Sequence, residues 1–136
     1  MRKFLDTAPL IYLVEGHPEF KDIVKKILSE SIVDNDILIT SVITILEFGV
    51  KPEKENRQDI ILQFRELLDR LNTRIEIVDE EIATNAYKLR AKYKFLKGMD
   101  SIQLATAITS GCEEFITNDQ KLERIEEINI HLLKRK

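Results

Sequence analysis

The chain has 136 residues, of which 43% are hydrophobic and 33% charged, and its formal net charge is −3. We expect a single domain over residues 1–136, and the weak negative charge excludes the overall positive field of many nucleic-acid-binding proteins. The single cysteine, Cys112, excludes an internal disulfide and a cysteine-ligated metal cluster, and the two histidines are too far apart for a His-x-x-x-His zinc site.

The first half of the chain alternates short apolar segments with amphipathic ones. Apolar runs bounded by turn residues predict strands, and apolar residues that recur about every three to four positions predict helices. Asp6 and Ser41 stand where a helix needs a capping side chain, and Pro52 marks the expected end of the helix that Ser41 opens. The predicted elements are a strand at 4–5, helices at 6–14 and 18–31, a strand at 37–40 and a helix at 41–50.

The second half continues this alternation. The predicted elements are a helix at 54–71, a strand at 75–78, helices at 79–93 and 100–111, a strand at 115–117, a short helix at 119–125 and a strand at 128–133. Strands that alternate with helices predict an α/β fold in which a central parallel sheet is flanked by helices on both faces. The sequence has no visible signal peptide and no apolar run of about 20 residues, so we expect a cytoplasmic protein.

Four acidic residues stand just after a predicted strand or in the helix that follows one. They are Asp6, Glu47, Asp100 and Asp119. Ligands of parallel α/β sheets bind beyond the carboxyl ends of the strands, so these carboxylates are expected to converge there. Carboxylates in one pocket repel each other unless a cation compensates, and oxygen ligands favour Mg²⁺ or Mn²⁺. The pattern therefore predicts a metal-dependent phosphodiesterase site.

Each of these acids also has a purely structural interpretation. Asp6, Asp100 and Asp119 each stand where a helix cap would be useful, and a capping aspartate needs no catalytic role. Glu47 lies inside a predicted helix, where Lys51 is placed one turn later and is able to pair with it.

A basic stretch leads directly up to Asp100, because no acidic residue occurs from Ile82 to Met99. Its cations are Lys88, Arg90, Lys92, Lys94 and Lys97. Two interpretations stay open: a solvated helix face, or a surface that follows RNA phosphates while Tyr87 and Tyr93 stack on unpaired bases. Residues 134–136 form a basic tail that we interpret as a solubilising end.

Around the four acids the chain resembles PIN domains, and more narrowly the VapC-type toxin ribonucleases. The matching segments are Phe4-Leu5-Asp6-Thr7, Ser41-Val-Ile-Thr-Ile-Leu-Glu47, Met99-Asp100-Ser101-Ile-Gln-Leu-Ala105 and Phe115-Ile-Thr117-Asn-Asp119. They occur in the family's order and spacing over nearly the whole chain. One departure is Ser101, which stands where an alanine often follows the third acid.

The resemblance implies a PIN-like three-layer sandwich and hydrolysis of RNA phosphodiester bonds with Mg²⁺ or Mn²⁺. It implies that the four acids are metal ligands and that Thr117 is a supporting hydroxyl beside them. It also implies a homodimer with a cognate antitoxin protein, in which this chain is the toxin of the pair.

Three alternatives stay open at this point. The first is a PIN-family RNA-processing nuclease without an antitoxin, and the second is a scaffold of this fold that binds RNA or protein without cutting. The third is a receiver-like signalling domain, which needs an acidic pair after its first strand and a lysine after its last. Only Asp6 follows the first predicted strand here, so this alternative fits the sequence poorly.

Overall fold

A sheet of five parallel strands forms the middle layer of the computed structural model, which describes residues 1–134. The strands are β1 (Arg2–Leu5), β2 (Ile37–Ser41), β3 (Arg74–Glu76), β4 (Glu114–Thr117) and β5 (Asn129–Leu132). Their spatial order is β3-β2-β1-β4-β5, and each neighbouring pair is parallel. The predicted α/β fold with a central parallel sheet is confirmed.

Helices cover both faces of the sheet. They are α1 (Thr7–Glu15), α2 (Lys21–Val33), α3 (Val42–Lys54), α4 (Gln58–Arg70), α5 (Glu80–Lys92) and α6 (Gly98–Thr109), together with a short 3₁₀ helix (Gln120–Arg124). One hydrophobic cluster joins the sheet to α5, α6 and the 3₁₀ helix, and a second joins it to α1, α2, α3 and α4. Two helical layers therefore enclose the sheet, as the predicted three-layer sandwich requires.

The strands at the centre of the sheet are apolar on both faces because both faces are covered. In β1, Phe4 belongs to one cluster and Leu5 to the other, and both are fully buried. The ring of Phe4 stacks on Phe115 of β4 with centroids 5.1 Å apart. A parallel sheet built this way leaves the strand ends, rather than the strand faces, for polar side chains.

The winding of the chain reverses beside β1. From β1 the chain moves outward to β2 and β3, and it returns to the other side of β1 as β4 and β5. Such a reversal is a topological switch point, and ligands of open α/β sheets bind beside the carboxyl ends of the strands there.

The prediction for the α3 region is wrong in two places. Helix α3 does not stop near Pro52 but includes it, and the proline ring is buried. That burial offsets the backbone hydrogen bond that proline is unable to donate. Helix α4 begins at Gln58 rather than near Lys54, because Asn56 has a positive φ of 54° and breaks the helical path.

The start of α2 also differs from the prediction. We predicted a helix from Pro18, but α2 begins at Lys21. The imidazole Nδ1 of His17 accepts hydrogen bonds from the backbone N–H groups of Glu19 and Phe20, at 3.1 and 3.3 Å. These contacts hold the segment in a turn before the helix starts.

Arg135 and Lys136, two residues of the predicted basic tail, lie outside the described residues. Within residues 1–134, none of the helices combines the length and the apolar character that crossing a membrane requires.

Candidate active site

The four acids lie on elements that meet at the switch point. Asp6 directly follows β1, and Asp119 follows β4, the neighbour of β1. Glu47 lies in the second turn of α3, which leaves the other neighbour, β2, and Asp100 lies in the first turn of α6. The first three positions follow from the strand order, whereas Asp100 is placed by the packing of α6.

Asp6 is both a helix cap and a member of a charged group. Its Oδ1 accepts a hydrogen bond from the backbone N–H of Thr7 at 2.9 Å, and its Oδ2 accepts one from the Thr117 hydroxyl at 2.8 Å. The pKa of Asp6 is raised to about 6, because burial, together with the negative charges of Glu47 and Asp100, outweighs the two hydrogen bonds that lower it. The capping interpretation is correct for Asp6 but incomplete.

Glu47 does not pair with Lys51, so its structural interpretation is wrong. The Lys51 ammonium lies 3.4 Å from Glu15 instead. Oε1 of Glu47 accepts a hydrogen bond from the Thr7 hydroxyl at 2.8 Å. That contact orients the carboxylate without neutralising it, and it places Glu47 beside the residue that follows Asp6.

Asp100 lies within the electrostatic reach of two other acids. Burial raises the pKa of Asp100, and the charges of Asp119 and Glu47 raise it further. The ammonium groups of Lys97 and Lys121 act in the opposite direction. The net increase shows that these two cations do not compensate for burial and acidic neighbours.

Asp119 is also a cap. Its Oδ1 accepts a hydrogen bond from the backbone N–H of Lys121 at 3.0 Å, at the start of the 3₁₀ helix. Its own N–H donates to the Thr117 hydroxyl oxygen at 3.2 Å. Thr117 thus connects Asp119 to Asp6, which is the position that a supporting hydroxyl would need.

The acids are neighbours, but they are not arranged as a complete coordination shell. In the part of the chain that the structure describes, no three histidine, cysteine, aspartate or glutamate side chains are grouped so that they could hold a metal ion directly. The donor chemistry still fits a hard cation. Mg²⁺ is commonly held by one or two carboxylates and keeps several of its waters.

A family comparison identifies the fold. The model of the PIN domain matches residues 3–128. The chain belongs to the PIN domain family. Membership in this family implies a nuclease, so the signalling alternative is wrong. A comparison with curated proteins finds no match.

Several solved structures share this fold over almost the full chain. The VapBC2 structure from Rickettsia felis, bound to a promoter DNA fragment, superposes with a TM-score of 0.83 at 19% identity and covers 98% of this chain and 100% of the other. A toxin–antitoxin complex from Klebsiella pneumoniae gives 0.74 at 25% identity, covering 98% and 99%.

A third structure is VapC20 of Mycobacterium tuberculosis, a toxin that cleaves the sarcin–ricin loop. It gives a TM-score of 0.70 at 12% identity and covers 93% of this chain and 98% of the other. VapC toxins of VapBC systems are thus among the structural neighbours, and the predicted resemblance is confirmed.

The basic residues of this PIN domain separate into two groups. The charge of Lys97 acts on Asp100, and the Arg90 guanidinium lies close to Gly98, where α6 begins. Lys92 is directed elsewhere, because its ammonium lies 3.3 Å from Glu127. The exposed side chains of Lys88 and Lys94 lie along the same segment. The predicted phosphate surface therefore has its strongest support near α6.

The side chain of Tyr93 makes several contacts within the protein, and its stacking on RNA stays a prediction. Its hydroxyl donates to Glu127 at 2.6 Å and accepts from the backbone N–H of Glu126 at 3.1 Å. The ammonium of Lys92 lies 5.2 Å from the centre of its ring. Tyr87 keeps 62% of its surface exposed and is the better candidate for stacking.

Two residues beside the acids, Thr7 and Lys121, were not predicted from the sequence. The Thr7 hydroxyl holds Glu47, and the Lys121 charge reaches Asp100. The signal for Thr7 was its position next to Asp6 in the first matching segment. Lys121 had no such signal, because it is placed by the path of the chain after Asp119.

A cavity of about 630 Å³ between α2 and β5 is separate from these acids. Its charged lining residues have both signs, and none of the four acids lines it. The four acids lie instead near the strand ends, where burial and neighbouring carboxylates raise the pKa of Asp6 and Asp100.

Proposed function

We propose that this protein is an endoribonuclease that uses Mg²⁺ or Mn²⁺ to hydrolyse RNA phosphodiester bonds. The observation that carries the proposal is the placement of four acids on elements that meet at the switch point of the sheet, where burial raises the pKa of Asp6 and Asp100. Buried acids whose pKa is raised further by neighbouring carboxylates destabilise the metal-free fold, and a bound cation removes that cost.

The residues that would hold the cation are Asp6, Glu47, Asp100 and Asp119. When bound, such an ion polarises the phosphate, lowers the pKa of a coordinated water and stabilises the leaving oxygen. Thr117 orients Asp6, and Thr7 orients Glu47, each through a hydroxyl that donates at 2.8 Å. These hydroxyl groups leave the remaining lone pairs of the carboxylates available to the ion and its waters.

We expect positively charged side chains near Asp100 to attract the RNA substrate. Lys97 and Lys121 bring positive charge to Asp100, and Arg90 lies near the start of α6. An RNA phosphate is attracted by such cations, and the overall charge of −3 makes the local patch the main source of attraction. We expect Lys88, Lys94 and Tyr87 to extend the surface along the RNA.

We further propose that the protein is the toxin of a toxin–antitoxin pair, forms a homodimer and is cytoplasmic. Support for the pair comes from the fold shared with VapBC2 and with the Klebsiella pneumoniae toxin–antitoxin complex. Exposed apolar side chains on α3 and α4, Leu46, Val50 and Leu62, provide surface that a second protein chain would cover.

The decisive experiment compares RNA cleavage by wild type, Asp100→Asn and Asp34→Asn. Asp34 is an exposed acid at the end of α2 and serves as the control for a lost carboxylate. We expect Asp100→Asn to lose at least about a hundredfold in rate, the scale seen when one preorganised electrostatic group is removed. Asp34→Asn should match wild type, and EDTA should abolish cleavage by both. Undiminished cleavage in EDTA would contradict the proposal.

A further inference from the structure

A buried network of hydroxyl and amide groups lies beneath the acids. Its members come from β2, α1, α3 and α6, and each is at most 6% exposed. They are Thr7, Thr40, Ser41, Thr44 and Gln103. Buried polar side chains are rarely tolerated without partners, so the contacts of each member carry information.

Gln103 is the link between α6 and α3. Its Nε2 donates to the Thr44 hydroxyl oxygen at 2.7 Å, and its Oε1 accepts a short hydrogen bond from the hydroxyl of Ser41. Only 1% of Gln103 is exposed, and both ends of its amide are used. The amide therefore has one orientation that satisfies both neighbours.

The backbone carbonyl of Leu5, the last acceptor in this series of hydrogen bonds, determines which hydroxyl donates to which. The Thr40 hydroxyl donates to the backbone carbonyl of Leu5 at 2.8 Å, and a carbonyl is only able to accept. The proton of Thr44 is then free to go to the Thr40 oxygen, 2.8 Å away. Thr44 in turn needs a donor, which is the amide nitrogen of Gln103.

The same network reaches the acids. The oxygen of Thr44 lies 3.4 Å from that of Thr7, which donates to Glu47 and directly follows Asp6. Thr44 and Glu47 are three residues apart on α3, as are Asp100 and Gln103 on α6. Residues at this spacing share a helix face, so the Gln103–Thr44 bond lies one helical turn from Asp100 on α6 and one helical turn from Glu47 on α3, and the charge of Glu47 acts on Asp100.

We propose that Gln103 is a positioning residue, which sets the separation of Glu47 and Asp100 so that one divalent cation is bound by both. This inference rests on the proposed function. Gln103 does not touch the cation itself; it holds α6 against α3 through Thr44. Partners of this kind typically change metal affinity by about tenfold to a hundredfold when they are removed.

The test replaces Gln103 with methionine, which fills similar space without hydrogen bonds. We expect Gln103→Met to weaken Mn²⁺ binding, measured by calorimetry, by about tenfold to a hundredfold. The kcat for RNA cleavage should fall by a similar factor, while KM for RNA stays at the wild-type value because the basic surface is unchanged. Wild-type Mn²⁺ affinity in Gln103→Met would overturn the inference.

A double variant separates positioning from general stability. In Gln103→Met with Thr44→Val the hydroxyl that accepted from Gln103 is also replaced by an apolar group. This restores part of the lost stability because that hydroxyl is no longer buried without its donor, although the Ser41 hydroxyl still lacks its former partner. We expect its melting temperature to move back toward wild type while its Mn²⁺ affinity stays low. Recovery of Mn²⁺ affinity together with stability would reduce Gln103 to a structural residue and overturn the inference.

The matched control is Asn85→Leu. Asn85 of α5 donates to the Thr109 hydroxyl of α6 at 3.0 Å, so the variant also removes an amide contact to α6. Thr109 is nine residues from Asp100, about 13 Å along the helix, and the control should bind Mn²⁺ like wild type. Equal weakening in the control would overturn the inference. A wild-type protein that binds no Mn²⁺ would overturn both proposals.

Discussion

Aspartates at the amino ends of the strands, the amino edge of the sheet, and aspartates at the carboxyl ends, the carboxyl edge, have pKa values shifted in opposite directions. At the amino edge, Asp36 precedes β2 and lies 2.9 Å from the Lys3 ammonium and 3.2 Å from the amino group of Met1. The hydrogen bond from Lys3 lowers the pKa of Asp36. At the carboxyl edge, burial and neighbouring acids raise the pKa of Asp6 and Asp100.

A second acid on the amino edge, Glu114, is also paired. Glu114 lies 3.6 Å from Lys3 and 3.2 Å from the ring of His131. Asp36 and Glu114 therefore each have a cation within the protein, whereas Asp6 and Asp100 on the carboxyl edge are underneutralised. The comparison teaches that paired acids stabilise a fold, and that underneutralised acids identify the edge where an external cation would act.

The largest expected effect is on Asp6, and it depends on pH. The folded metal-free protein holds a proton on Asp6 up to about pH 6, whereas the unfolded chain releases it near 3.8. The stability from this proton is present at low pH and is lost as pH rises through about 6, by up to about 3 kcal/mol. In urea unfolding with EDTA, the free energy of unfolding of Asp6→Asn should rise by about this much relative to that of wild type as the pH is raised from about 4 to 7. A difference that does not change with pH would contradict the comparison.

Asp36→Asn should show the opposite sign. The lowered pKa of Asp36 contributes stability above its ordinary value of 3.8, and this stability is lost as pH falls through the lowered pKa. Because the carboxylate is 4% exposed and contacts two cations, we expect a loss of about 2 kcal/mol near neutral pH. The same urea measurements should show this loss shrinking below about pH 4; a loss that grows with acid would be inconsistent.

Asp119 allows the two roles of a single acid to be separated. Asp119→Asn keeps an acceptor for the Lys121 N–H but removes the charge, whereas Asp119→Ala removes both. In EDTA, thermal melts should show a loss of about 1 kcal/mol for the alanine variant and almost none for asparagine. With Mn²⁺, both variants should gain less stability than wild type, since each has lost a ligand. Asp119 would be only a cap if Asp119→Ala lost the same stability with and without Mn²⁺ and if Mn²⁺ stabilised Asp119→Asn as much as it stabilises wild type.

The smallest effect concerns two lysines on opposite edges. Lys97→Gln should reduce the slope of log RNA affinity against log salt by about 0.7, the value for one phosphate contact on single-stranded RNA, with little change in melting temperature. Lys3→Gln should lower the melting temperature and leave the slope unchanged, because Lys3 is engaged by Asp36 and Glu114. Fluorescence titrations in EDTA over several salt concentrations measure both slopes. Identical slopes for Lys97→Gln and wild type would remove Lys97 from the RNA surface.

Most of the elements, and the positions of Asp6 and Asp119 at strand ends, were predictable because they depend on local patterns. Apolar segments such as Phe4-Leu5 are buried on both faces of a parallel sheet, and the polar residue that follows must lie at the strand end. Asp79 was likewise predictable as a cap, since capping depends on residues a few positions away, and its Oδ1 accepts from Ile82 at 3.0 Å.

The contacts of individual polar groups were decided only by the tertiary structure. Lys51 bonds to Glu15 rather than to Glu47, and Pro52 stays inside a helix because its ring is buried. The contact between Gln103 and Thr44 joins residues 59 positions apart, and no local pattern indicates it. The raised pKa of Asp6 likewise depends on burial and on charges brought from α3 and α6. Hydrogen bonds and electrostatic fields act through space, so distances between elements determine them and the order of residues along the chain does not.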